Sequence, residues 1–400
     1  MTCSDLTEAG PDAPVAGFGV MSPKIVGLDV WHVPVKLRRG HVMSFGTAVV
    51  ADLVVVRATS DDGTSGWGEV TLLGGPHWSE ESAESVVATL AKYLLPRLVG
   101  RPIHSACGLV DAHADIRGNR FAKAALDIAL ADLRARTLGI PLGALWGGHH
   151  PGTVPLSWSL AGRTVEQDIV EAAERREAGF GIFKIKAGAL PLHAELARVT
   201  AIREALGPHV SLRIDANQGW SRAQAGRALP VLEQLDIAFV EQPLAADDIA
   251  GMAALQTATR IPIAADESLQ TLADATALAG SDAARVFVYK VAKHGSLEQA
   301  RHVAAVAETS GIEGYLGCMI ESSIGTAAYL AFAGSGIPLS YGCELFGPQL
   351  LVDDLAHDGI AYERGAVLPP LGPGLGIDVD EDKVRALAHT HHHVDKKALE

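Results

Sequence analysis

Three acidic residues recur at nearly constant intervals in the second half of the chain. Asp215, Glu241 and Asp266 each follow a short apolar run, at gaps of 26 and 25 residues. Such a gap is about the length of one strand-plus-helix unit, and the carboxyl ends of the strands in a (β/α)8 barrel meet at one mouth. Carboxylates placed together cost free energy unless a cation neutralises them. Three oxygen ligands predict Mg²⁺ or Mn²⁺ rather than zinc or copper.

Lysines flank these acids on both sides. Lys184 and Lys186 are two positions apart in FKIKAG and therefore share one face of a predicted strand, whereas Lys290 follows a later apolar run. A dication on a substrate carboxylate acidifies the adjacent carbon and stabilises the enediolate that deprotonation forms. A neutral lysine can act as the base, and we expect nearby positive charges to lower its pKa. The alternative is an exposed strand end with both lysines pointing outward.

Two neighbouring residues belong to the same predicted site. Asn217 follows Asp215 by two positions in RIDANQGW, so both side chains are expected on one face, and we assign Asn217 to substrate binding. In AADES either Asp266 or Glu267 could bind the metal, but the one-residue offset turns them to opposite faces. We choose Asp266 as the ligand and assign Glu267 to a supporting contact near Lys290.

Eight strand-like segments, separated by amphipathic helices, predict the barrel over residues 149–348. The segments are VPLSWSLAG, FGIFKIKAG, VSLRIDANQGW, IAFVEQP, IPIAADES, VFVYKVAK, IEGYLGCMIES and LSYGCELFG. Residues 24–148 contain strand-rich text, a DDG hairpin signal and then helices, which together predict an α+β capping domain. The predicted fold is therefore an α/β chain with a TIM-type barrel and an N-terminal capping domain.

The ends of the chain complete this division. Residues 1–23 are rich in Gly, Pro, Ala and Ser and are expected to form a disordered lead-in. Residues 349–390 are expected to return to the capping domain and complete it. Residues 391–400 belong to a histidine-rich tail that we expect to be frayed or artificial rather than metal-binding, since no rigid element is predicted to hold it.

Composition excludes several classes of partner. The 400 residues carry a net charge of −14, which argues against nucleic acid and anionic membranes, because both reward basic patches. No run approaches the roughly 18 apolar residues that a membrane helix needs. Four separated cysteines without CxxC spacing favour reduced thiols and a cytoplasmic location. The expected partner is a small carboxylate substrate.

Several motifs together resemble the muconate-lactonizing branch of the enolase superfamily. They are the KxK pair, the DxN of RIDANQGW, EQP, ADES and the late lysine, followed by GCMIESSIGTAA, ELFGPQLL and GPGLGI. The resemblance extends over nearly the whole chain. One departure is Gly295-Ser296, where the family usually has two glycines after the late lysine.

The resemblance implies a role for each matching residue. Lys186 would be the acid/base on one face of the substrate, Lys290 the group on the opposite face, and Lys184 a partner that tunes Lys186. The metal would be held by Asp215, Glu241 and Asp266. Glu321 would line the pocket, and capping-domain loops carrying Phe45 and Trp78 would contact the remote part of the substrate. The family also implies a homo-oligomer, either an octamer or a dimer.

The reaction implied by this resemblance is cycloisomerisation of cis,cis-muconate, or a substituted muconate, to a muconolactone. The same two-lysine site permits racemisation of N-acylamino acids, dipeptide epimerisation or o-succinylbenzoate synthesis. A Schiff-base aldolase would use Lys186 or Lys290 as nucleophile but gives the three acids no role. A barrel with only a binding role leaves the same residues unexplained.

Overall fold

The computed structural model describes residues 22–103, 113, 115–148, 152–162 and 164–399. The predicted lead-in lies outside these residues, except for its last two positions. Within the described part of the chain, no helix is long and apolar enough to cross a membrane.

A four-stranded antiparallel sheet forms the first domain. Its strands are β1 (Ile25–Met43), β2 (Gly46–Ser60), β3 (Ser65–Leu72) and, from the other end of the chain, β14 (Thr390–Asp395). The order across the sheet is β14-β1-β2-β3. The DDG hairpin predicted from the sequence is the turn between β2 and β3. β1 and β2 form a long hairpin that reaches the barrel, where Ser44 Oγ donates to the Asn217 carbonyl at 2.5 Å.

Two helices cover this sheet, α1 (Ala83–Thr89) and α2 (Arg120–Leu138). The second packs directly on the backbone of β3 because two glycines leave room for it. A Cβ on Gly66 would lie 2.2 Å from the Leu133 nitrogen, and one on Gly68 would lie 2.1 Å from the Ala125 carbonyl oxygen. These close approaches fix the helix against β3, which carries the WGEV motif of residues 67–70.

Seven parallel strands make up most of the barrel, in the sheet order β11-β10-β9-β8-β7-β6-β5. They are β5 (Trp158–Leu160), β6 (Ile182–Lys186), β7 (Ser211–Asp215), β8 (Ile237–Glu241), β9 (Ile263–Ala265), β10 (Val286–Tyr289) and β11 (Glu313–Leu316). The strands are short and almost fully buried, as expected for a parallel sheet covered by helices.

Helices alternate with these strands, and several begin with capping boxes that define where each strand-to-helix loop ends. They are α3 (Val165–Glu177), α4 (Leu192–Leu206), α5 (Arg222–Gln234), α6 (Ile249–Ala258), α7 (Leu272–Gly280), α8 (Val291–His294), α9 (Leu297–Thr309) and α10 (Ser323–Ala333).

The eighth position of the barrel is a single residue rather than the full strand that LSYGCELFG predicts. Cys343 forms parallel bridges with Leu156 on one side and Leu316 on the other. The Ser157 amide donates to the Cys343 carbonyl at 2.8 Å, and the Glu344 amide donates to the Leu316 carbonyl at 2.8 Å. This bridge closes the ring between its first and last strands, so the barrel fold predicted from the sequence is confirmed.

The C-terminal segment returns to both domains. It contains α11 (Gly347–Leu350), β12 (Ala361–Glu363), β13 (Ala366–Leu368) and α12 (Glu381–Leu387). β12 and β13 form a small sheet with β4 (Val154–Pro155) at the start of the barrel domain.

The expectation of a frayed histidine-rich tail is wrong. Residues 390–395 pair with β1 as its antiparallel neighbour. His391 Nε2 and His393 Nδ1 each lie 2.8 Å from Asp29 Oδ1, and the Arg57 guanidinium lies 2.7 Å from Asp29 Oδ2. His391 also stacks on Trp31, with ring centroids 4.9 Å apart. A buried carboxylate on β1 therefore holds the strand in place.

Candidate active site

The three predicted carboxylates lie at the carboxyl ends of adjacent barrel strands. Asp215 is the last residue of β7, Glu241 is the last residue of β8, and Asp266 directly follows β9. Asp215 and Glu241 are direct partners in the strand register. All three side chains are almost fully buried. The structure thus brings together, at one mouth, residues that are 51 positions apart in sequence (from 215 to 266).

Both lysines of the KxK pair point into this cluster from β6. Lys184 Nζ lies 3.1 Å from Glu241 Oε2, 3.4 Å from Asp215 Oδ2 and 2.5 Å from Glu344 Oε2. Lys186 Nζ donates to Asp215 Oδ2 at 2.6 Å and to Asn217 Oδ1 at 3.2 Å. The alternative of an exposed strand end therefore does not apply.

Lys290 approaches the cluster from the side opposite β6. Its Nζ donates to Asp266 Oδ2 at 2.7 Å and lies 4.5 Å from the centre of the Trp78 ring. Lys293, which sequence reasoning missed, is fully buried and donates to Asp266 Oδ1 and to the Asp266 carbonyl, each at 2.7 Å. Its position one helical turn after Lys290 is the signal that could have identified it.

Asn217 and Glu267 connect the cluster to its surroundings. The Asn217 side chain donates from Nδ2 to Glu267 Oε1 at 3.1 Å and accepts from Lys186 through Oδ1. The Asn217 backbone amide donates to Asp215 Oδ1 at 3.0 Å. Glu267 therefore contacts Asn217, which in turn contacts Lys186.

Burial and mutual repulsion shift the pKa values of the acids. Burial, followed by the neighbouring Asp215 carboxylate, raises the pKa of Glu241 to about 8. Burial and the Asp266 carboxylate raise the pKa of Glu267 to about 7. Burial opposes ionisation of Asp266 as well, but Lys290 and Lys293 outweigh it and hold the pKa of Asp266 below its ordinary range.

Carboxylates surround two of the lysines and act against burial. Burial disfavours the ammonium groups of Lys184 and Lys290, yet the surrounding carboxylates raise both pKa values above the ordinary value. Carboxylates lie within ion-pair distance of both ammonium groups. The expectation that a bound dication lowers the pKa of the lysine base stays a prediction.

The donor set fits an oxygen-preferring dication. Lysine ammonium groups lie between the carboxylates, and within the described residues no group of three or more His, Cys, Asp or Glu side chains converges in a metal-binding arrangement. However, Glu241 Oε1 is a buried carboxylate oxygen without a hydrogen-bond partner among those residues. A buried acceptor of this kind, beside two further carboxylates, is suited to Mg²⁺ or Mn²⁺.

A small cavity adjoins the cluster. Residues of both domains line it: His41, Met43, Leu73, Trp78, Lys186, Asn217, Lys290, Cys318, Met319, Ile320, Glu344 and Phe346. The capping domain contributes the first four, so the cavity exists only where the two domains meet.

Two predicted pocket residues lie outside this lining. Phe45 is partly buried in the turn at the tip of the β1–β2 hairpin, whereas Met43 and His41 of the same hairpin reach the cavity. Glu321 is buried next to the lining residues 318–320, and its Oε1 accepts from the Met319 amide at 2.8 Å. Trp78 is in the lining as expected.

His41 and Glu344 are cavity residues that sequence reasoning missed. Glu344 follows the strand-like run ending at Cys343, so the rule that found the other acids also applies to it. His41 is buried, and its Nδ1 has no hydrogen-bond partner within the described part of the chain. Burial and then the Lys186 charge keep the pKa of His41 well below its ordinary value, which favours the neutral imidazole.

Comparison with known proteins identifies the family. Residues 25–147 match the family described as mandelate racemase / muconate lactonizing enzyme, N-terminal domain. Residues 168–383 match the family described as enolase C-terminal domain-like. The chain belongs to the mandelate racemase / muconate lactonizing enzyme family of the enolase superfamily. The resemblance inferred from the sequence motifs is thereby confirmed.

Individual relatives match over almost their whole length. Muconate cycloisomerase 1-2 of Acinetobacter lwoffii is 38% identical over 369 residues, covering 91% of this chain and 95% of the relative. Chloromuconate cycloisomerase of Delftia acidovorans is 38% identical over 367 residues, covering 90% and 98%. A muconolactone complex of the muconate lactonizing enzyme from Pseudomonas fluorescens superimposes with a TM-score of 0.89 at 35% identity, covering 92% of this chain and all of that one.

Proposed function

We propose that this chain catalyses cycloisomerisation of cis,cis-muconate, or a substituted muconate, to a muconolactone through an enolate. The observation that carries the proposal is the placement of two lysines at one cavity, Lys186 on the Asp215 side and Lys290 on the Asp266 side. Relatives named as muconate and chloromuconate cycloisomerases, at 38% identity over about nine-tenths of the chain, support the same reaction.

We infer that Asp215, Glu241 and Asp266 would hold Mg²⁺ or Mn²⁺. When bound, such a cation stabilises the negative charge that develops on the carboxylate of the enolate. The pairing of a lysine or histidine base with Mg²⁺ is the general pattern of enolase-superfamily sites, and we infer it for this chain from its family. Lys184 adds a fixed positive charge among the same carboxylates.

The proposed reaction forms one carbon–oxygen bond and one carbon–hydrogen bond. An oxygen of one muconate carboxylate adds to C4, and the electron pair of the C4–C5 double bond moves towards the second carboxylate to give the enolate. Lys186 Nζ, held by Asp215 and Asn217, then donates a proton to C5 and becomes neutral. Solvent restores the Lys186 proton. Lys290 supplies positive charge on the other side of the substrate.

The composition of the cavity favours a substrate without an amine. Of the lining residues that the capping domain contributes, His41, Met43, Leu73 and Trp78, none is acidic. Glu344 lies in the lining, where its Oε2 is paired with Lys184 at 2.5 Å and its Oε1 has no hydrogen-bond partner among the described residues. An ammonium group on a dipeptide would therefore lose its hydration and meet one acidic side chain, whose charge is already shared with Lys184.

A substrate panel tests the proposal. Purified protein supplied with Mg²⁺ or Mn²⁺ would be incubated with cis,cis-muconate, chloromuconates, N-acylamino acids and dipeptides. Loss of the muconate ultraviolet absorbance would report cycloisomerisation, and deuterium uptake from D₂O would report racemisation or epimerisation. Turnover of a muconate above all other substrates supports the proposal. Preference for an N-acylamino acid or a dipeptide would assign the same site to the racemase and epimerase alternatives.

A homo-oligomer, octamer or dimer, remains a proposal taken from the family. Light scattering coupled to gel filtration measures it directly, and a monomeric mass would reject it.

A further inference from the structure

One wall of the cavity contains a residue in an unfavourable backbone conformation. Ile320, which lies in the lining with Cys318 and Met319, has φ +63° and is only 2% exposed. A β-branched residue rarely adopts the left-handed region, because its branched side chain clashes with the backbone there. We call residues 318–320 the pocket wall. Such strain persists only where the surrounding structure enforces it.

The residues that follow the pocket wall are held by short-range contacts. Glu321 reaches back across Ile320, because its Oε1 accepts the Met319 amide hydrogen bond at 2.8 Å. Gly347 backs the same segment, since a Cβ there would lie 2.1 Å from the Glu321 carbonyl oxygen. Helix α10 then begins, with Ser322 as its N-cap accepting from the Ile324 amide at 3.2 Å.

Two carboxylates from outside the barrel also bind the start of α10. Glu69, on β3 of the capping domain, accepts the Ser322 amide hydrogen bond at 2.9 Å and also binds the Ser322 hydroxyl. Asp354, in the C-terminal segment, accepts from the Ser323 amide at 2.8 Å and also binds the Ser323 hydroxyl. Glu69 is only 1% exposed, so its carboxylate has been taken almost entirely out of water.

The two carboxylates bind backbone amides that the side-chain cap leaves without a partner. The first amides of a helix have no intrahelical partner, and the Ser322 side chain accepts from the Ile324 amide. Glu69, which is buried, and Asp354, which is partly buried, come from separate segments and accept from the amides of Ser322 and Ser323. Their common effect is to fix the chain directly after Ile320 from two sides.

We propose that Glu69 and Asp354 are positioning residues that hold the pocket wall in its strained conformation. The proposal rests on the proposed function only in naming muconate as the substrate for the assay. It assigns a role to the glutamate of the WGEV motif, which lies outside the cavity lining and contacts neither the metal ligands nor the lysines.

A double-mutant cycle distinguishes this role from simple interdomain adhesion. Glu69→Ala should lower kcat/KM for muconate at least tenfold, mainly through KM, because the pocket wall relaxes while the lysines stay in place. Glycine adopts φ +63° without strain. Adding Ile320→Gly to Glu69→Ala should therefore recover at least fivefold of that loss. Additive losses in the double variant would overturn the proposal.

Asp127→Asn provides the matched control. Asp127 on α2 also joins the capping domain to the barrel, since its Oδ2 accepts from the Leu297 amide at 2.9 Å, but it lies away from the pocket wall. Asp127→Asn should leave KM unchanged. If Glu69→Ala does not fold, the same cycle is made with Asp354→Asn.

Amide hydrogen exchange tests, without any substrate, whether Glu69 holds the pocket wall. Exchange in residues 317–324 should become at least tenfold faster in Glu69→Ala and stay unchanged in Asp127→Asn. Unchanged exchange in Glu69→Ala would overturn the proposal whatever the substrate is. Failure of the wild type to convert muconate would instead reject the proposed function and leave the exchange result to decide the role of Glu69.

Discussion

Replacement of Lys184 with methionine should destabilise the protein strongly when no divalent metal is added. Lys184 is 1% exposed, and its ammonium is within 3.4 Å of three carboxylates, those of Asp215, Glu241 and Glu344. Methionine has a similar length but no charge. The variant therefore leaves three buried acids without the cation that lies between them.

The magnitude follows from the distances. Two unit charges about 3 Å apart attract by roughly 5 kcal/mol at an effective dielectric constant near 20. Desolvation of the lysine offsets part of this attraction, and removal of one partner from a buried pair costs about 3–5 kcal/mol. At ~2 °C per kcal/mol for a chain of this size, the midpoint of thermal unfolding should fall by roughly 6–10 °C.

Differential scanning calorimetry in the presence of a chelator measures this change. Lys383→Met is the matched control, because Lys383 forms a partly exposed ion pair with Asp380 at 3.8 Å. Such a surface pair contributes about 0–1 kcal/mol. Added Mn²⁺ should raise the midpoint more in Lys184→Met than in the wild type, since a dication can replace the lost positive charge. A Lys184→Met protein as stable as the control would refute the reasoning.

Three further predictions concern other contacts. Trp78→Ala removes the ring that lies 4.5 Å from Lys290 Nζ. A desolvated cation–π contact contributes about 2 kcal/mol, so kcat/KM in steady-state assays should fall roughly 30-fold, chiefly through KM. Trp78→Phe should recover most of this loss. An unchanged kcat/KM in Trp78→Ala would contradict the prediction. Glu241→Gln should weaken Mn²⁺ binding at least tenfold in titration calorimetry because it removes one ligand charge, and equal affinity would count against the assigned ligand set. Burial opposes ionisation of Asp29, but His391, Arg57 and His393 outweigh it and lower the pKa of Asp29. The ionised Asp29 therefore stabilises the fold above the ordinary pKa of 3.8, and this stabilisation is lost as the pH falls through the lower pKa of the folded state. Calorimetry from pH 7 to pH 3 should therefore show a lower and flatter midpoint curve for Asp29→Asn, and superimposable curves would exclude this role.

The barrel and the charged cluster were predictable because their signals are local. Asp215 and Glu241 each end an apolar strand, and a two-residue spacing on β6 is enough to place Lys184 and Lys186 on one face. The order of the units along the chain then determines which strand ends are neighbours. No long-range information was needed for these residues.

The β1–β2 hairpin shows which features local sequence signals do not predict. His41 and Met43 alternate with outward residues and reach the cavity, but the strand ends at Met43, so Phe45 belongs to the turn and the alternation no longer applies to it. A register irregularity between Lys36 and His41 precedes them. Bulges of this kind change which residues face inward, and the sequence gives no direct sign of their position.

The C-terminal strand could not be predicted for a different reason. Residues 390–395 contain a single buried apolar side chain, Val394, and therefore lack the alternation that marks a strand. The strand is held instead by His391 and His393 on Asp29, a contact that spans more than 360 positions. The eighth barrel position also lacks a full strand, since one residue, Cys343, makes both bridges.

The most direct test of the central claim is the fate of cis,cis-muconate in D₂O with Mn²⁺, followed by nuclear magnetic resonance. The proposed mechanism predicts muconolactone carrying one deuterium at C5, delivered to a single face, with formation abolished by a chelator or by Lys186→Ala. Muconate that stays unconsumed with either Mg²⁺ or Mn²⁺, while an N-acylamino acid or dipeptide exchanges its alpha-hydrogen, would contradict it.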